Sequence, residues 1–161
     1  VNRLDKNTSG IVVFAKNEYI QECFIRQMKT GEFKKEYLTI VEGLLENTSG
    51  TLDFPIARKE GSIIERCVSP DGDLSITHFD VIKTFNNLSL VHIVLETGRT
   101  HQIRVHFSHI KHPVLGDTLY GNASDLIDRQ ALHSYKLTFT HPITKNKMTI
   151  TAPLPNDMQI F

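Results

Sequence analysis

Neither sign of charge is in excess in this chain of 161 residues, where 18 Lys and Arg balance 18 Asp and Glu. That balance gives no support to a nucleic-acid partner, as a strongly basic domain would. Basic residues gather only locally, at Lys34-Lys35, Arg58-Lys59 and Lys145-Asn146-Lys147, and such groups are more often solvated surface than phosphate contacts. Cysteine is scarce: Cys23 and Cys67 lie far apart, make no metal-type pair and fit free thiols in a reducing cytoplasm. No apolar run approaches the roughly 20 residues that cross a bilayer, and no signal peptide is visible. Internal repeats, low-complexity tracts and linkers are missing too. An ordinary apolar and charged fraction at this length predicts one domain with a real core.

Periodicity supplies the elements. Residues 10–16 predict a short buried strand. Asn17 is a natural N-cap, Ile20, Phe24 and Met28 recur every four residues beside Cys23, and Gly31 is a natural stop, so 18–30 predicts a helix. Residues 33–42 alternate as a strand, with Tyr37, Thr39 and Val41 on one face and Leu38 and Ile40 on the other. A turn at 47–50 precedes short strands at 52–56, 62–68, 75–85 and 88–96, with turns at Pro70-Asp71-Gly72 and Asn86-Asn87. Residues 100–110 predict a helix capped by Thr100, although strand and helix periods compete there. Residues 113–121 form a Gly- and Asp-rich loop, and 132–140 with 148–152 form a last hairpin that turns at 143–147. Many short strands, two helices and no βαβ alternation predict an α+β fold with a largely antiparallel sheet.

Asp5, with Thr8, Ser9 and Gly10 after it, stands on a loop just ahead of the apolar run Ile11-Val12-Val13-Phe14-Ala15. A loop anchored to a buried strand is where scaffolds present chemistry, yet Asp, Thr, Ser and Gly also make ordinary surface turns. His101, His106, His109 and His112 crowd one segment, and zinc is the rival reading there. No Cys or paired carboxylate completes a zinc signature, and there is no H-E-x-x-H, so hydrogen bonds that hold the helix are the expected role.

The run Val1-Asn2-Arg3-Leu4-Asp5-Lys6-Asn7-Thr8-Ser9-Gly10 resembles the catalytic signature of the RluA-type pseudouridine synthases, HRLD, two residues, then TSG. Lys35-Glu36-Tyr37, leading into 38–43, resembles the family's tyrosine motif. Thr97-Gly98-Arg99-Thr100-His101-Gln102-Ile103-Arg104-Val105-His106, with Gly116-Asp117 and Tyr120-Gly121 beyond it, resembles its third motif. Leu132-His133 and His141-Pro142 recur near the family's last strands.

The resemblance implies a pseudouridine synthase fold, α+β with a mixed, mostly antiparallel sheet and a cleft across it, and an enzyme that isomerises uridine in rRNA or tRNA, cytoplasmic and monomeric. Neither cofactor nor metal is implied, which agrees with the absence of a nucleotide-binding glycine loop. Asp5 takes the position of the catalytic carboxylate, Tyr37 that of the active-site tyrosine and Arg104 that of the partner guanidinium. Arg3, Arg99, His101 and Gln102 are the implied RNA-binding residues. We expect a hydrogen-bonded Asp5–Arg104 pair, because a planar guanidinium fork holds both carboxylate oxygens. Removing one member of a dry pair costs about 3–5 kcal/mol. A non-catalytic RNA-binding module of the same fold is the alternative. Asn2 stands where most members carry His, and the family's upstream strand with an Asn-Lys-Pro-like motif, and in many members an N-terminal RNA-binding domain, has no counterpart in these residues. The 161 residues are therefore expected to be one catalytic domain, incomplete at its N-terminus, whose sheet lacks an edge or central strand.

Overall fold

The computed structural model describes residues 2–160. Helix α1, Glu18–Thr30, begins where the Asn17 side chain accepts the Ile20 N–H and ends at Gly31, which takes the left-handed conformation. Both ends match the local signals, because a cap needs nothing but its own neighbours. Strands β2 (Lys34–Glu42), β6 (Thr77–Phe85), β7 (Leu88–Leu95) and β8 (Leu132–Thr140) form the long middle of one sheet. β3 (Ser49–Leu52) closes one side against β6. At the far side, β1 (Ser9–Gly10) and β9 (Lys147–Thr151) share the outer edge of β8, at residues 133–134 and 136–140 respectively. Only the β1–β8 pairing is parallel, so among the described residues the sheet is mixed and mostly antiparallel, as expected. β4 (Ile56–Arg58) and β5 (Arg66–Val68) form a separate hairpin, and α2 (Gln102–His109) packs on β5 and β6.

Several boundaries differ from expectation. The one strand expected over 52–56 divides into the end of β3 and the start of β4, with residues 53–55 in neither, and the strand expected over 62–68 forms only at Arg66–Val68. Ser49 and Gly50 open β3 instead of turning. Helix α2 starts two residues late, because His101 sits in the left-handed region and caps nothing with its side chain. Residues 11–16 fall outside every strand, and the Ile11 N–H to Ser134 carbonyl bond is the one backbone–backbone bond they make among the described residues. The Asn2 amide donates to the Ile11 carbonyl and accepts the Val13 N–H at 2.8 Å, the two groups a neighbouring strand would claim. The residue that departs from the family signature is thus a buried pin for this segment.

Two cores flank the sheet. Tyr37, Ile40, Val91 and Ile93 pack with Ile103 and Phe107 of α2, while Phe24 of α1 packs with Phe33, Leu137 and Phe139. Ile11, Val13 and Ala15 lean on the second core and Phe14 points outward, which is why the stretch carries a strand-like period. No helix of the described residues is long and apolar enough to cross a membrane.

Gly10 fixes the entry to this segment. Its φ is +116°, and a Cβ there would lie 2.3 Å from the Ser134 carbonyl oxygen and 2.5 Å from its nitrogen. Both neighbours are backbone in the centre of a paired strand, so neither can yield. Gly10→Ala is expected to destabilise by about 2 kcal/mol or more, read as a lower urea midpoint at unchanged slope.

Candidate active site

Residues 5–8 make a turn closed by the Thr8 N–H on the Asp5 carbonyl, with Asn7 left-handed. The turn is tied down from across the molecule. Gln130 donates to the Lys6 carbonyl and to the Thr8 hydroxyl, and Arg129 donates to the Asn7 carbonyl while its fork grips Asp157 at 2.7 and 2.9 Å. Just beyond, the Ser9 hydroxyl meets Nδ1 of buried His133 at 2.9 Å. A loop so bound presents its side chain in one orientation.

Asp5 opens onto a cavity of about 400 Å³ lined by Arg3, Lys35, Tyr37, Gly98, Arg99 and His101 among others, a size usual for a small-ligand site. Arg104, on α2, donates from Nη1 to Asp5 Oδ2 at 3.3 Å. Its fork, however, closes on Asp117, with Nε to Oδ2 at 2.6 Å and Nη2 to Oδ1 at 2.8 Å. The expected pair is there, but Asp117 holds the guanidinium and Asp5 receives one remaining N–H. Asp117 is 1 % exposed and also accepts the backbone N–H groups of Leu119 and Tyr120. Burial opposes the charge on Arg104, but Asp117, and then Asp5, outweigh it and raise its pKa. The guanidinium also lies 5.0 Å from the centre of the Tyr120 ring, within cation–π range.

Tyr37 is buried, and burial together with the Asp5 charge pushes its hydroxyl to about 12 against a hydrogen bond with Ser134. It is therefore a neutral ring and a proton donor, not a phenolate base. His101 lines the cavity with Nδ1 2.7 Å from the Tyr120 hydroxyl, which itself accepts the Arg66 N–H of β5. The imidazole tautomer sets which of the two, the Tyr120 hydroxyl or Nδ1–H, donates in this bond. Burial lowers the His101 pKa, with Asp5 opposing, so the ring is neutral at pH 7.

Arg3 is exposed at the mouth, and its guanidinium has no partner among the described residues. Arg99 reaches the Leu74 carbonyl and lies 3.8 Å from Asp73. Gln102 is brought to the same wall but is fully engaged. Its oxygen accepts from the Thr97 hydroxyl and the Arg99 N–H, and its nitrogen donates to the Ile76 carbonyl and the Thr77 hydroxyl. All four of its hydrogen-bonding positions are used inside the protein, so it braces the loop that carries Arg99. His106 is buried between the Thr77 hydroxyl and the Phe54 carbonyl, holding α2 as the sequence suggested. Among the described residues no cluster of three or more His, Cys, Asp or Glu could hold a metal ion.

Sequence reasoning missed Asp117 as a site residue and passed over Lys35. The signal for Asp117 was the Gly116-Asp117 pair inside the third motif, where only the fold shows that it faces Arg104.

Comparison with known proteins gives the same picture over most of the chain. Residues 1–109 match the family model described as RNA pseudouridylate synthase. An uncharacterized RNA pseudouridine synthase of Bacillus subtilis, YjbO, is 48% identical over 158 residues, spanning 98% of this chain and 56% of that protein. The ribosomal large subunit pseudouridine synthase D of Vibrio cholerae is 38% identical over 172 residues, 98% of this chain and 53% of that one. The chain thus spans about half the length of the curated relatives it matches. The structure of human RNA pseudouridylate synthase domain containing 1 superimposes with a TM-score of 0.81 at 28% identity, covering 94% of this chain and 67% of that one. By its sequence motifs, its fold and these matches, the chain belongs to the RNA pseudouridylate synthase family.

Proposed function

We propose that this chain carries the catalytic centre of an RNA pseudouridine synthase that isomerises a uridine in ribosomal or transfer RNA, acting in the cytoplasm as a monomer. The observation that carries the reading is the Asp5 carboxylate on a locked turn, hydrogen-bonded by Arg104 and facing a cavity that Tyr37 also lines. The reaction breaks the C1′–N1 bond, turns the uracil and joins C1′ to C5. The C5 hydrogen leaves to solvent, and N1 ends protonated. It is internal and redox-neutral, so it needs neither cofactor nor metal.

Asp5 acts as nucleophile or base, with Arg104 holding its negative charge in place. Tyr37 stacks on the uracil and offers its hydroxyl proton. A stacked uridine is out of reach, so the base must be extruded at a cost of a few kcal/mol. Contacts from Arg3 and Arg99 to phosphate offset that cost and make binding salt-dependent. His101 lines the cavity beside Arg99, and Gln102 serves RNA binding through its hold on Arg99. The test is release of tritium from RNA labelled at uridine C5. Release proportional to protein supports the reading, and RNA retention without release identifies a binding module instead.

A further inference from the structure

We propose that Lys35 is a phosphate-anchoring residue of the Asp5 cavity, its ammonium seated over Gly98 to take a backbone phosphate beside the extruded uridine. This rests on the RNA reading above and adds a ligand position to it. The adjacent Lys34 is exposed, but Lys35 lines the cavity two residues before Tyr37 on β2. It has no hydrogen bond or ion pair among the described residues, whereas its other neighbour Glu36 is taken by Lys136 at 3.0 Å and His92 at 2.9 Å. Burial lowers its pKa with nothing to offset it, so an anion entering the cavity gains from that ammonium what no protein group now supplies.

Gly98 supports the assignment independently. Its backbone is not in the left-handed region, so conformation does not call for glycine. A Cβ there would meet only the Lys35 Nζ, at 2.7 Å. The missing side chain leaves room for the ammonium on the loop that carries Arg99. Lys35 and Asp5 line the same cavity but make no ion pair with each other among the described residues. A compact ammonium suits a phosphate as a point charge.

The test measures affinity for a short hairpin RNA with uridines in its loop across a salt series, in an Asp5→Asn background to prevent turnover. Lys35→Met is expected to weaken binding about tenfold near 0.1 M salt and to reduce the salt slope by about one. Lys35→Arg retains the slope. Gly98→Ala, which displaces the ammonium without removing its charge, weakens binding several-fold. In an otherwise wild-type background, Lys35→Met lowers turnover at saturating RNA by less than about threefold, because the loss is in binding. Unchanged affinity and slope in Lys35→Met overturn the proposal. So does a large loss of saturated turnover at unchanged affinity, which would place the ammonium on the base. Wild-type protein that binds RNA but releases no tritium defeats the isomerase reading alone and leaves this measurement intact.

Discussion

Asp5→Asn is expected to slow tritium release by at least about 10³-fold while leaving the protein as stable as before to within about 1 kcal/mol. The two halves of that expectation come from different parts of the site. Asparagine keeps the size of the side chain and an oxygen for the Arg104 Nη1, but it can neither attack C1′ nor accept a proton as a base. The loop that carries it is held through backbone groups by Gln130 and Arg129, so the change of side chain does not release it. From the sequence alone, loss of Asp5 should orphan a buried arginine at a cost of about 3–5 kcal/mol. The structure revises this, because Arg104 keeps both arms on Asp117 and gives up only a 3.3 Å contact with a carboxylate that is 23% exposed. Single-turnover rates and a thermal melt on the same preparation check both halves. Normal turnover removes Asp5 from the chemistry, and a collapsed melt returns it to a structural ion pair.

What could be read in advance follows from how local each cause is. Helix α1 was legible to the residue because Asn17 and Gly31 act on their own neighbours. The hairpin of β8 and β9 was legible because alternation and a turn specify it. The start of α2 was not, since His101 is drawn out of the helix where its ring meets Tyr120, 19 positions on. The run at residues 11–16 has a strand's period without a strand's pairing, and the Asn2 side chain takes two of its backbone groups, the Ile11 carbonyl and the Val13 N–H. The site divides in the same way. Asp5, Tyr37 and Arg104 stand in motifs, and the fold brings all three together. Asp117 and Lys35 fall within the quoted motifs too, but Asp117 lies in a loop without periodicity and Lys35 beside an ordinary surface lysine. What sets each of them apart is a partner or a space contributed by a distant stretch of chain.

Asp117 is where that distant partner matters most. Asp117→Ala removes both anchors of the Arg104 fork and the acceptor for two backbone N–H groups in a site where the arginine side chain is 7% exposed. The expected cost is about 3–5 kcal/mol, which for a domain of this size lowers the melting temperature by roughly 10 °C. Activity should fall further than the folded fraction. With Asp117 gone, Asp5 is the one acid still bonded to Arg104, and the fork can turn onto it, taking the oxygens that must face C1′. Turnover measured well below the melt should therefore drop by about 10²-fold or more, in kcat more than in KM. Asp117→Asn separates the two effects. It retains an oxygen for the Leu119 and Tyr120 N–H groups but sets an NH₂ against the guanidinium, so stability should recover in part while turnover stays low. If either variant keeps normal turnover at low temperature, Arg104 does not need Asp117 to leave the catalytic carboxylate free.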